Sequence, residues 1–396
     1  MERVASIYAH LRESYVKFHV NRDVFSEAVS FVVKLLPQRN PQPILAGVLI
    51  EAGTDGSLSL SAFDYEASAR TSIEATIDEP GTILVHGRLL NDIASRLPHA
   101  PIEVSTDDEN NVAVVCGPAR FALASMPVEE YPAIPEVTGQ SGVVPGEDFS
   151  TAIAQVAFAA SRDDVTPVLT GVQLAVTENS LGLVATDRYR VALRTIDWDG
   201  SQQEVQALVP ARTLIEVGKT FAHGGNISIA FSGEGDREII AFTAGNKTVT
   251  SLLIKGNFPP VQRLFPEQTG HYAVVSTSEL TEAVRRVALV LDRSAPLRFT
   301  FGQNEVTMDA AGGDQARASE SVDATLTGGD EVTLGLNPQY LLEALGAVKS
   351  EFARITFTSS DNANKLSPIL VMAQTSVEDA ANDNFKYLLQ PNLLLR

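Results

Sequence analysis

The chain has 396 residues, of which 30 are lysine or arginine and 49 are aspartate or glutamate, so its formal net charge is −19. Hydrophobic residues make up 44% and charged residues 20%, proportions that exclude a disordered or fibrous chain. The single cysteine, Cys116, excludes a disulfide within the chain and favours a reducing cytoplasm, and the acidic total argues against an ordinary nucleic-acid binder with a basic surface.

The N-terminal region predicts neither a signal peptide nor an anchor. Its first 20 residues carry charges throughout and lack an apolar core segment. Further along the chain, no run approaches the roughly 18 uncharged apolar residues that a membrane-spanning helix needs. We therefore expect no association with a membrane.

An apolar stripe of helical spacing begins at Phe25 and recurs twice along the chain. Each stripe places apolar residues at i, i+4, i+7, i+8 and i+11, which is one face of a helix. The three stripes are Phe25, Val29, Val32, Val33 and Leu36, then Phe149, Ile153, Val156, Ala157 and Ala160, then Leu280, Val284, Val287, Ala288 and Leu291. Ser278 predicts that the third helix begins nearby.

A strand-rich segment that begins with proline follows each stripe. Residues 43–70 and 167–194 align over their whole length, and Asp64 matches Asp187. A diverged third copy starts at Pro296, so the copies are offset by 124 and 129 residues. This period is the length of a domain and is too long for a solenoid repeat.

A second apolar stripe lies about 60 residues into each copy. Its members are Leu90, Ile93 and Leu97, then Leu214, Val217 and Phe221, then Leu341, Ala344 and Val348. Short runs with period-two alternation, such as Leu58 and Leu60, separate the helices and predict antiparallel strands. The fold class is therefore α+β, with three tandem domains that each pack two helices on antiparallel sheets, joined by proline-rich linkers at 126–147 and 256–270.

The residues predict no catalytic site, cofactor or metal. The segment at Gly218 resembles the end of a phosphate loop, but Thr213 occupies the position where that motif needs glycine. The histidines are scattered, and Cys116 lies in an alternating run typical of a strand. Asp64 and Asp187 suit either a repeated turn or catalysis, and the repetition favours the turn.

Basic residues concentrate in the helices of the first two copies. They are Lys34, Arg39, Arg88, Arg96, Arg162, Arg212 and Lys219. The same segments hold only three acidic residues, so they sum to +4 within a chain of −19. In the third copy Arg285 and Arg286 are balanced by neighbouring acids. These helices form either ordinary solvated faces or, since the pattern recurs in tandem, one shared basic surface.

Several motifs make the chain resemble the bacterial replicative sliding clamps, the beta subunits of DNA polymerase III. The motifs are the Thr-Asp-x-x-Arg turn within 184–190, Phe-Pro at 258–259 followed by Leu-Phe-Pro at 264–266, and the ending Tyr-Leu-Leu-Gln-Pro at 387–391. Residues 61–66 and 126–132 are most similar to actinobacterial members. The resemblance spans 17–393 and implies clamp domains at 17–140, 141–268 and 269–396, after an extension at 1–16 that we expect to be mobile.

The resemblance implies a head-to-tail homodimer that forms a ring of six domains in the cytoplasm. Duplex DNA would pass through the ring without sequence-specific contacts, past the basic residues named above together with Arg285 and Arg286. The dimer interface would use Phe121, Leu123, Ala288 and Leu289. The chain would then be the processivity factor of the polymerase and would carry out no catalysis itself.

The resemblance also implies a groove between the second and third domains that binds short apolar peptides. Its partners would be the polymerase alpha subunit, the clamp loader and other proteins with a clamp-binding motif. The corresponding residues are Leu169, Thr186, Arg190, Val191, Pro259, Arg263, Leu264, Leu388, Leu389, Gln390 and Pro391. Gln390 replaces the usual methionine, residues 392–394 replace the usual tail, and Thr166 stands where some members have arginine.

Two alternatives remain open at this stage. The altered tail is compatible with a specialised clamp paralogue, for example one that tolerates an inhibitor of the groove. The third hypothesis is an enzyme built on the same scaffold. A bound cofactor or a measured catalytic turnover would favour it.

Overall fold

The structure, a computed structural model, describes residues 15–36, 42–107, 111–135, 137, 139–200, 204–232, 238–266, 270–292, 295–313, 315–358 and 367–394. This part of the chain contains six α-helices. They are α1 (Arg22–Val33), α2 (Gly87–Ala94), α3 (Gly146–Val156), α4 (Ala211–Phe221), α5 (Thr277–Val287) and α6 (Pro338–Val348). Residues 1–14 of the predicted extension and Arg39 lie outside the described residues.

Each of the six helices contains most of one predicted stripe, although four stripes end beyond their helices, at Leu36, Leu97, Ala160 and Leu291. Side chains cap the first turns of several of the helices. The Asn21 side chain accepts hydrogen bonds from the backbone amides of the first turn of α1. In α5 the capping residue is Ser276, whose Oγ accepts a hydrogen bond from Glu279 N. The helix begins at Thr277, so the prediction of a helix start near Ser278 is confirmed, and the capping residue is Ser276, where a Ser-x-x-Glu spacing begins.

The chain divides into two compact units. The first comprises Met1–Gly146 with Lys219–Leu253, and the second comprises Glu147–Gly218 with Ile254–Arg396. Strands of the first unit are β1 (Lys17–Val20), β2 (Gly47–Ala52), β3 (Ser57–Phe63), β4 (Ala67–Glu74), β5 (Thr76–Glu79), β6 (Gly81–His86), β7 (Ile102–Thr106), β8 (Asn111–Cys116), β9 (Ala119–Ala124), β10 (Gln140–Pro145), β16 (Asn226–Ser232), β17 (Ile239–Ala244) and β18 (Lys247–Leu252).

The remaining strands belong to the second unit. They are β11 (Gly171–Val176), β12 (Ser180–Thr186), β13 (Arg190–Asp197), β14 (Asp199–Gly200), β15 (Val205–Pro210), β19 (Tyr272–Ser276), β20 (Leu297–Phe301), β21 (Glu305–Gly312), β22 (Ala316–Thr327), β23 (Val332–Leu336), β24 (Phe352–Phe357), β25 (Ile369–Gln374) and β26 (Asn382–Leu389). The ladders of both units are antiparallel, as the alternation predicts.

Each unit contains a sheet that crosses a predicted domain boundary. In the first unit the order β10-β16-β17-β18-β4-β3-β2-β6 places residues 247–251 of the second predicted domain opposite 67–71 of the first. In the second unit a 12-stranded sheet runs from β15 to β23 and places residues 190–194 opposite 385–389. The second predicted domain thus shares backbone ladders with both of its neighbours.

Cys116 and Val16 are both buried in the first unit. Cys116 lies on β8, and its thiol lies within hydrogen-bond distance, 3.2 Å, of the carbonyl oxygens of both Pro98 and Ala100. Val16, which the sequence analysis assigns to the N-terminal extension, donates its backbone amide to the Thr106 hydroxyl. Ordered packing of the first domain therefore begins at or before Val16.

Candidate functional site

The repeated aspartates build the same turn in two copies. Asp187 Oδ1 accepts hydrogen bonds from the amides of Tyr189 and Arg190, and Asp64 Oδ1 accepts from the two corresponding amides of the first copy. The residue after each aspartate has a positive φ, 80° at Arg188 and 72° in the first copy. Both carboxylates therefore serve turn geometry, as the repetition favours.

This turn positions Arg190, a predicted groove residue, at the entrance of β13. Its side chain is almost fully buried; its Nε donates to Asp187 Oδ2 at 2.9 Å, and a second guanidinium nitrogen pairs with Glu343 of α6. The guanidinium also lies over the Tyr340 ring, 4.2 Å from the centroid. Burial alone would lower the pKa of Arg190, but Tyr387, Glu343 and Asp187 raise it. Arg190 is therefore a permanently charged joint between β13 and α6.

A cavity of about 450 Å³ lies beside this joint within the second unit. Its wall consists of the 160–169 segment, the 187–190 turn and the first turns of α6. The lining residues are Ala160, Ser161, Arg162, Asp163, Val165, Thr166, Leu169, Asp187, Arg188, Tyr189, Arg190, Gln339, Tyr340 and Glu343. Two predicted groove residues, Leu169 and Arg190, thus meet in one cavity of a size that suits a few side chains of a ligand.

An apolar cluster lies on the other face of the same sheet. Val191 of β13 pairs directly with Leu388 of β26, so their side chains share one face. The buried members are Val184, Val191, Val261, Leu370, Met372 and Leu388, with Phe258 and Phe265 of the linker packed against them. Two further predicted groove residues, Val191 and Leu388, therefore lie together, next to the linker that contains Pro259.

The other predicted groove residues occupy less uniform positions. Leu264 and Arg263 are exposed on the linker, and Pro259 is half-buried. Gln390 donates its backbone amide to the carbonyl of Tyr189, which ties the tail to the turn. The three remaining positions, Thr186, Leu389 and Pro391, are buried.

Leu389 does not line the same surface as Leu388. Successive side chains of a strand point to opposite faces, so Leu389 shares the helix-facing side with Tyr387, whose hydroxyl donates to the Tyr340 carbonyl. Thr186 uses its hydroxyl internally, since it donates to the Arg190 carbonyl. Leu389 and Thr186 therefore support the site from its buried side.

The cavity also contains residues that the sequence analysis missed. Tyr340 and Glu343 lie on α6, about 150 residues from the 187–190 turn, and Phe158 supplies a carbonyl that accepts from Arg190. In the sequence, the polar residues of α6 alternate with its apolar stripe, a pattern typical of ordinary solvent-facing positions. No spacing in the sequence connects them to Arg190.

The C-terminal tail continues beyond β26 across the edge of β23. Asn392 forms an isolated bridge with Gly335, and its amide donates to the Gly335 carbonyl at 2.8 Å. A Cβ on Gly335 would lie 2.9 Å from Cδ2 of Leu394, so the absence of a side chain there makes room for the tail. The departures of residues 390–394 from the family pattern therefore lie in a segment with defined contacts.

Two of the predicted basic residues meet in a cleft of the first unit. Lys34, at the end of α1, and Lys219, on α4, line a cleft of about 490 Å³. Lys247 of β18, which no sequence pattern indicated, lines the same cleft, pairs with Glu27 at 2.6 Å and lies over the Phe31 ring. Lysines from two helices and a strand therefore meet in one cleft, which Arg22, Asp23 and Glu27 also line.

The remaining predicted basic residues are distributed differently. Arg162 and Arg212 line a cavity of about 620 Å³ beside α3 and α4 in the second unit, and Arg88 is exposed on α2. Arg96 pairs with Asp92, and Arg285 pairs with Glu282.

Arg286 makes the most specific of these ion pairs. Its Nε and Nη2 donate to the two carboxylate oxygens of Glu320, at 3.1 and 2.5 Å. The hydrogen bond from Arg286 lowers the pKa of Glu320, and the same bond raises the pKa of Arg286. The third copy therefore presents less free positive charge than the first two.

The predicted interface residues lie on an open strand and on the continuation of a helix. β9 is the terminal strand of the sheet β5-β1-β7-β8-β9, with Phe121 exposed and Leu123 buried. Ala288 and Leu289 lie in the 3₁₀ turn that extends α5, and Leu289 is 83% exposed. Large apolar side chains are thus open to solvent at Phe121 and Leu289.

The described ranges contain neither a metal cluster nor a membrane-spanning helix. Within them, no group of three or more His, Cys, Asp or Glu residues could hold a metal ion. No helix in this part of the chain is long and apolar enough to cross a membrane.

Three family models match the chain in tandem. They describe the DNA polymerase III beta subunit: the N-terminal domain at residues 16–135, the central domain at 143–260 and the C-terminal domain at 262–391. Together they span nearly all of the three predicted domains.

Individual relatives and solved structures agree with these matches. The beta sliding clamp of Streptomyces coelicolor is 44% identical over 379 residues, 95% of this chain and 99% of that protein. A beta sliding clamp homolog, GriR, of Streptomyces muensis is 37% identical over 378 residues, 95% of this chain and 99% of that protein. The Pseudomonas aeruginosa DnaN sliding clamp bound to griselimycin superposes with a TM-score of 0.86 at 27% identity, covering 96% of this chain and all of that one. The Bacillus subtilis clamp gives a TM-score of 0.87 at 25% identity with the same coverage.

Proposed function

The chain belongs to the beta-subunit family of DNA polymerase III, the bacterial sliding clamps, and we propose that it tethers that polymerase to duplex DNA as a closed, head-to-tail homodimer. One observation carries the proposal: all three family domains follow one another between residues 16 and 391. The domains would be 17–140, 141–268 and 269–396, so two copies supply the six needed to close a ring.

The positive surfaces support DNA passing along the helices. Lys34 at the end of α1, Arg88 on α2, Arg162 in the segment after α3, and Arg212 and Lys219 on α4 would contact phosphates, although the whole chain has a charge of −19. Because screening limits electrostatic interactions to about 10 Å at ordinary ionic strength, a local positive surface attracts DNA despite distant acidic residues. Phosphate contacts carry no base information, so the clamp would slide on any sequence in the cytoplasm.

Retention by topology explains why no catalytic chemistry is needed. Non-specific DNA contacts typically give a Kd of about 10⁻⁴ to 10⁻⁶ M, too weak for a long residence time. A closed ring stays on DNA without strong contacts and leaves only at a free end. The clamp thereby converts weak binding into processivity and does not act as an enzyme.

The cavity at Arg190 and the apolar cluster at Val191 support the peptide groove. Both lie within the second unit, on either side of the β13–β26 ladder, and the tail and the linker border them. The exposed Leu264 of the linker and a cavity with a few polar groups suit a short peptide with apolar anchors. The polymerase alpha subunit, the clamp loader and other clamp-motif proteins would bind there in turn.

A loading experiment tests the topological mechanism. The chain is loaded by a clamp loader onto nicked circular DNA, and the circle is then linearised with a restriction enzyme. We expect the protein to co-elute with the circle on a sizing column and to be lost after linearisation. Retention on linear DNA with open ends would contradict a topological link.

A specialised clamp paralogue is the second candidate, and the tail is the observation that favours it. Gln390 and residues 392–394 depart from the family pattern at the border of the groove, and one relative at 37% identity is described as a clamp homolog. Complementation of a strain depleted of its own clamp separates the two candidates. Full rescue by this chain would count against the paralogue.

A further inference from the structure

A cavity in the second unit that shares no residue with the Arg190 cavity is lined by strands β20, β21 and β22 and by the C-terminal tail. Its volume is about 730 Å³, and small-molecule sites have volumes of about 300 to 1,000 Å³. The predicted DNA-facing and groove residues do not line it. The registers of the surrounding ladders show how its walls are arranged.

Two exposed arginines lie on the same face of this sheet, two strands apart. Arg298 of β20 is opposite Asp309 of β21, and Arg317 of β22 is opposite Ala311, two residues further along β21. Opposite residues, and residues two apart on one strand, point to the same face, so both arginine side chains stand on one side of the sheet. Neighbouring strands lie about 4.8 Å apart, so the two arginines flank a trough about 10 Å wide.

The C-terminal tail supplies an apolar wall of this trough. Gly335 of β23 is opposite Arg298, and a Cβ there would lie 2.9 Å from Cδ2 of Leu394. Leu394 therefore covers the same face of the sheet, next to Arg298. Leu291 and Pro296, which precede β20, also line the cavity and are half-buried. Three large apolar side chains thus line the same cavity as the two arginines.

The positive charge of the cavity is not neutralised by its own residues. Its charged lining consists of Arg298, Arg317 and Asp309, which sum to +1. Among the described residues, no carboxylate lies within ion-pair distance of either arginine, whereas Arg286 is bidentate to Glu320. A guanidinium presents several N–H donors in a planar fork that matches a carboxylate. A cavity with this charge and an apolar wall is complementary to an organic anion.

We propose that this cavity binds a small amphipathic carboxylate, an organic acid with an aryl or alkyl body. The carboxylate would accept charge-assisted hydrogen bonds from Arg298 and Arg317. The body of the ligand would cover Leu291, Pro296 and Leu394 and remove apolar surface from water. An amide of the same shape would gain the apolar contacts and only weaker hydrogen bonds. The site is separate from the proposed peptide groove.

Matched ligands test the proposal on the full chain. Isothermal titration calorimetry compares phenylacetate, 4-phenylbutanoate and 6-phenylhexanoate with the corresponding amides. Each carboxylate should bind about tenfold more tightly than its amide, and this ratio should fall as the salt concentration rises. Affinity should increase about threefold for each added CH₂ group that the cavity covers.

Substitutions in the trough separate the charge from the apolar contact. R298M and R317M keep the length of the side chain and remove its charge, so each should reduce the ratio to about threefold or less without weakening the amides. L394A should weaken carboxylates and amides by the same factor, about fivefold. R70M, an exposed site on β4, and L393A, a 75% exposed neighbour outside the cavity, are the controls and should bind as wild type does.

Competition with a leucine-rich peptide shows which cavity the carboxylates occupy. The peptide, which fills the proposed groove, should not displace them. Displacement by the peptide, or unchanged binding in both R298M and R317M, would place the ligands elsewhere and overturn the proposal. It also fails if no carboxylate binds at millimolar concentration, or if carboxylates and amides bind equally, and neither result would affect the proposed groove.

Discussion

Arg190 shows how one side chain connects a turn, a strand and a helix. The turn aspartate orients it, Glu343 holds its far end, and the Tyr340 ring covers its face. Burial of a guanidinium costs free energy that only a complete set of partners offsets. The cavity beside it therefore has a rigid charged wall before any ligand arrives.

Replacement of Arg190 by methionine should leave two acidic side chains without their partner. We expect R190M to lose about 3 kcal/mol of unfolding free energy, measured by urea denaturation with an unchanged m-value. R188M is the matched control, because Arg188 is exposed, and it should stay within about 0.5 kcal/mol of wild type. A loss below about 1 kcal/mol in R190M would show that its ion pairs are largely solvated.

Tyr131 gives a pH-dependent prediction. Burial raises its pKa to about 12, and its hydroxyl accepts a hydrogen bond from the Phe63 amide at 2.8 Å. The folded state therefore binds this proton more tightly than the unfolded state, where the pKa is about 10. This contribution to stability is complete below pH 10 and is lost as the pH rises from about 10 to about 12.

Urea denaturation at a series of alkaline pH values checks this assignment. Wild type should lose about 2 kcal/mol more than Y131F between about pH 10 and 12, since the phenylalanine cannot ionise. Y131F should already be less stable at neutral pH, by about 1 kcal/mol, because the Phe63 amide then has no acceptor. Parallel pH profiles for the two proteins would refute the assignment.

At the scale of elements, the helices could be predicted from the sequence, but the β-ladders that connect neighbouring domains could not. A period of 3.6 shows which face of a helix is buried, so α1 to α6 could be located from residues such as Phe25 and Leu341. The ladders β18–β4 and β13–β26 pair segments nearly 200 residues apart, and an alternating strand does not specify its neighbour. Lys247 and Tyr340 were missed for the same reason, since they join their sites only through these long-range contacts.

Gly346 in α6 offers a stabilising substitution. A Cβ at this exposed position would meet nothing within 4 Å, and glycine within a helix is less favourable than alanine. G346A should therefore raise the unfolding free energy by about 0.5–1 kcal/mol, measured by urea denaturation.

Gly218 of α4 is the control for this substitution. Its Cβ would lie 3.3 Å from the Ile153 side chain, so crowding should offset the gain in helix propensity in G218A. If G346A and G218A stabilised the protein equally, packing would not distinguish the two positions.

At the scale of the whole molecule, net charge and local charge lead to different conclusions. The total of −19 describes the average surface, whereas Lys34, Lys219 and Lys247 converge in one cleft. If this cleft contacts phosphates, DNA affinity must depend on salt through counterion release.

Removal of Lys34 should reduce that dependence. In K34A, the slope of log K against log salt concentration should become shallower by about 0.9 for each phosphate that the protein no longer neutralises, with equal weakening on unrelated DNA sequences. K17A is the control, because Lys17 lies on β1 and pairs with Glu103. An unchanged slope in K34A would remove this cleft from the proposed DNA path.

Leu289 tests the closure of the dimer. Its side chain is 83% exposed in the single chain, and a lysine there should disfavour burial against a second copy. We expect L289K to raise the dimer Kd by about 30-fold or more in sedimentation velocity, without a change in monomer stability. V377K, which also changes an exposed apolar residue, should remain dimeric, and a fully dimeric L289K would place the interface elsewhere.

The ladders that cross the domain boundaries also determine how the molecule carries force. A force that slides β13 past β26 loads the hydrogen bonds between residues 190–194 and 385–389 in shear, so that all of them are strained at the same time. The pairing of 247–251 with 67–71 behaves in the same way. These internal seams yield only when many bonds break at once. In the proposed ring neither ladder crosses from one subunit to the other, so opening the ring between subunits would leave both ladders intact.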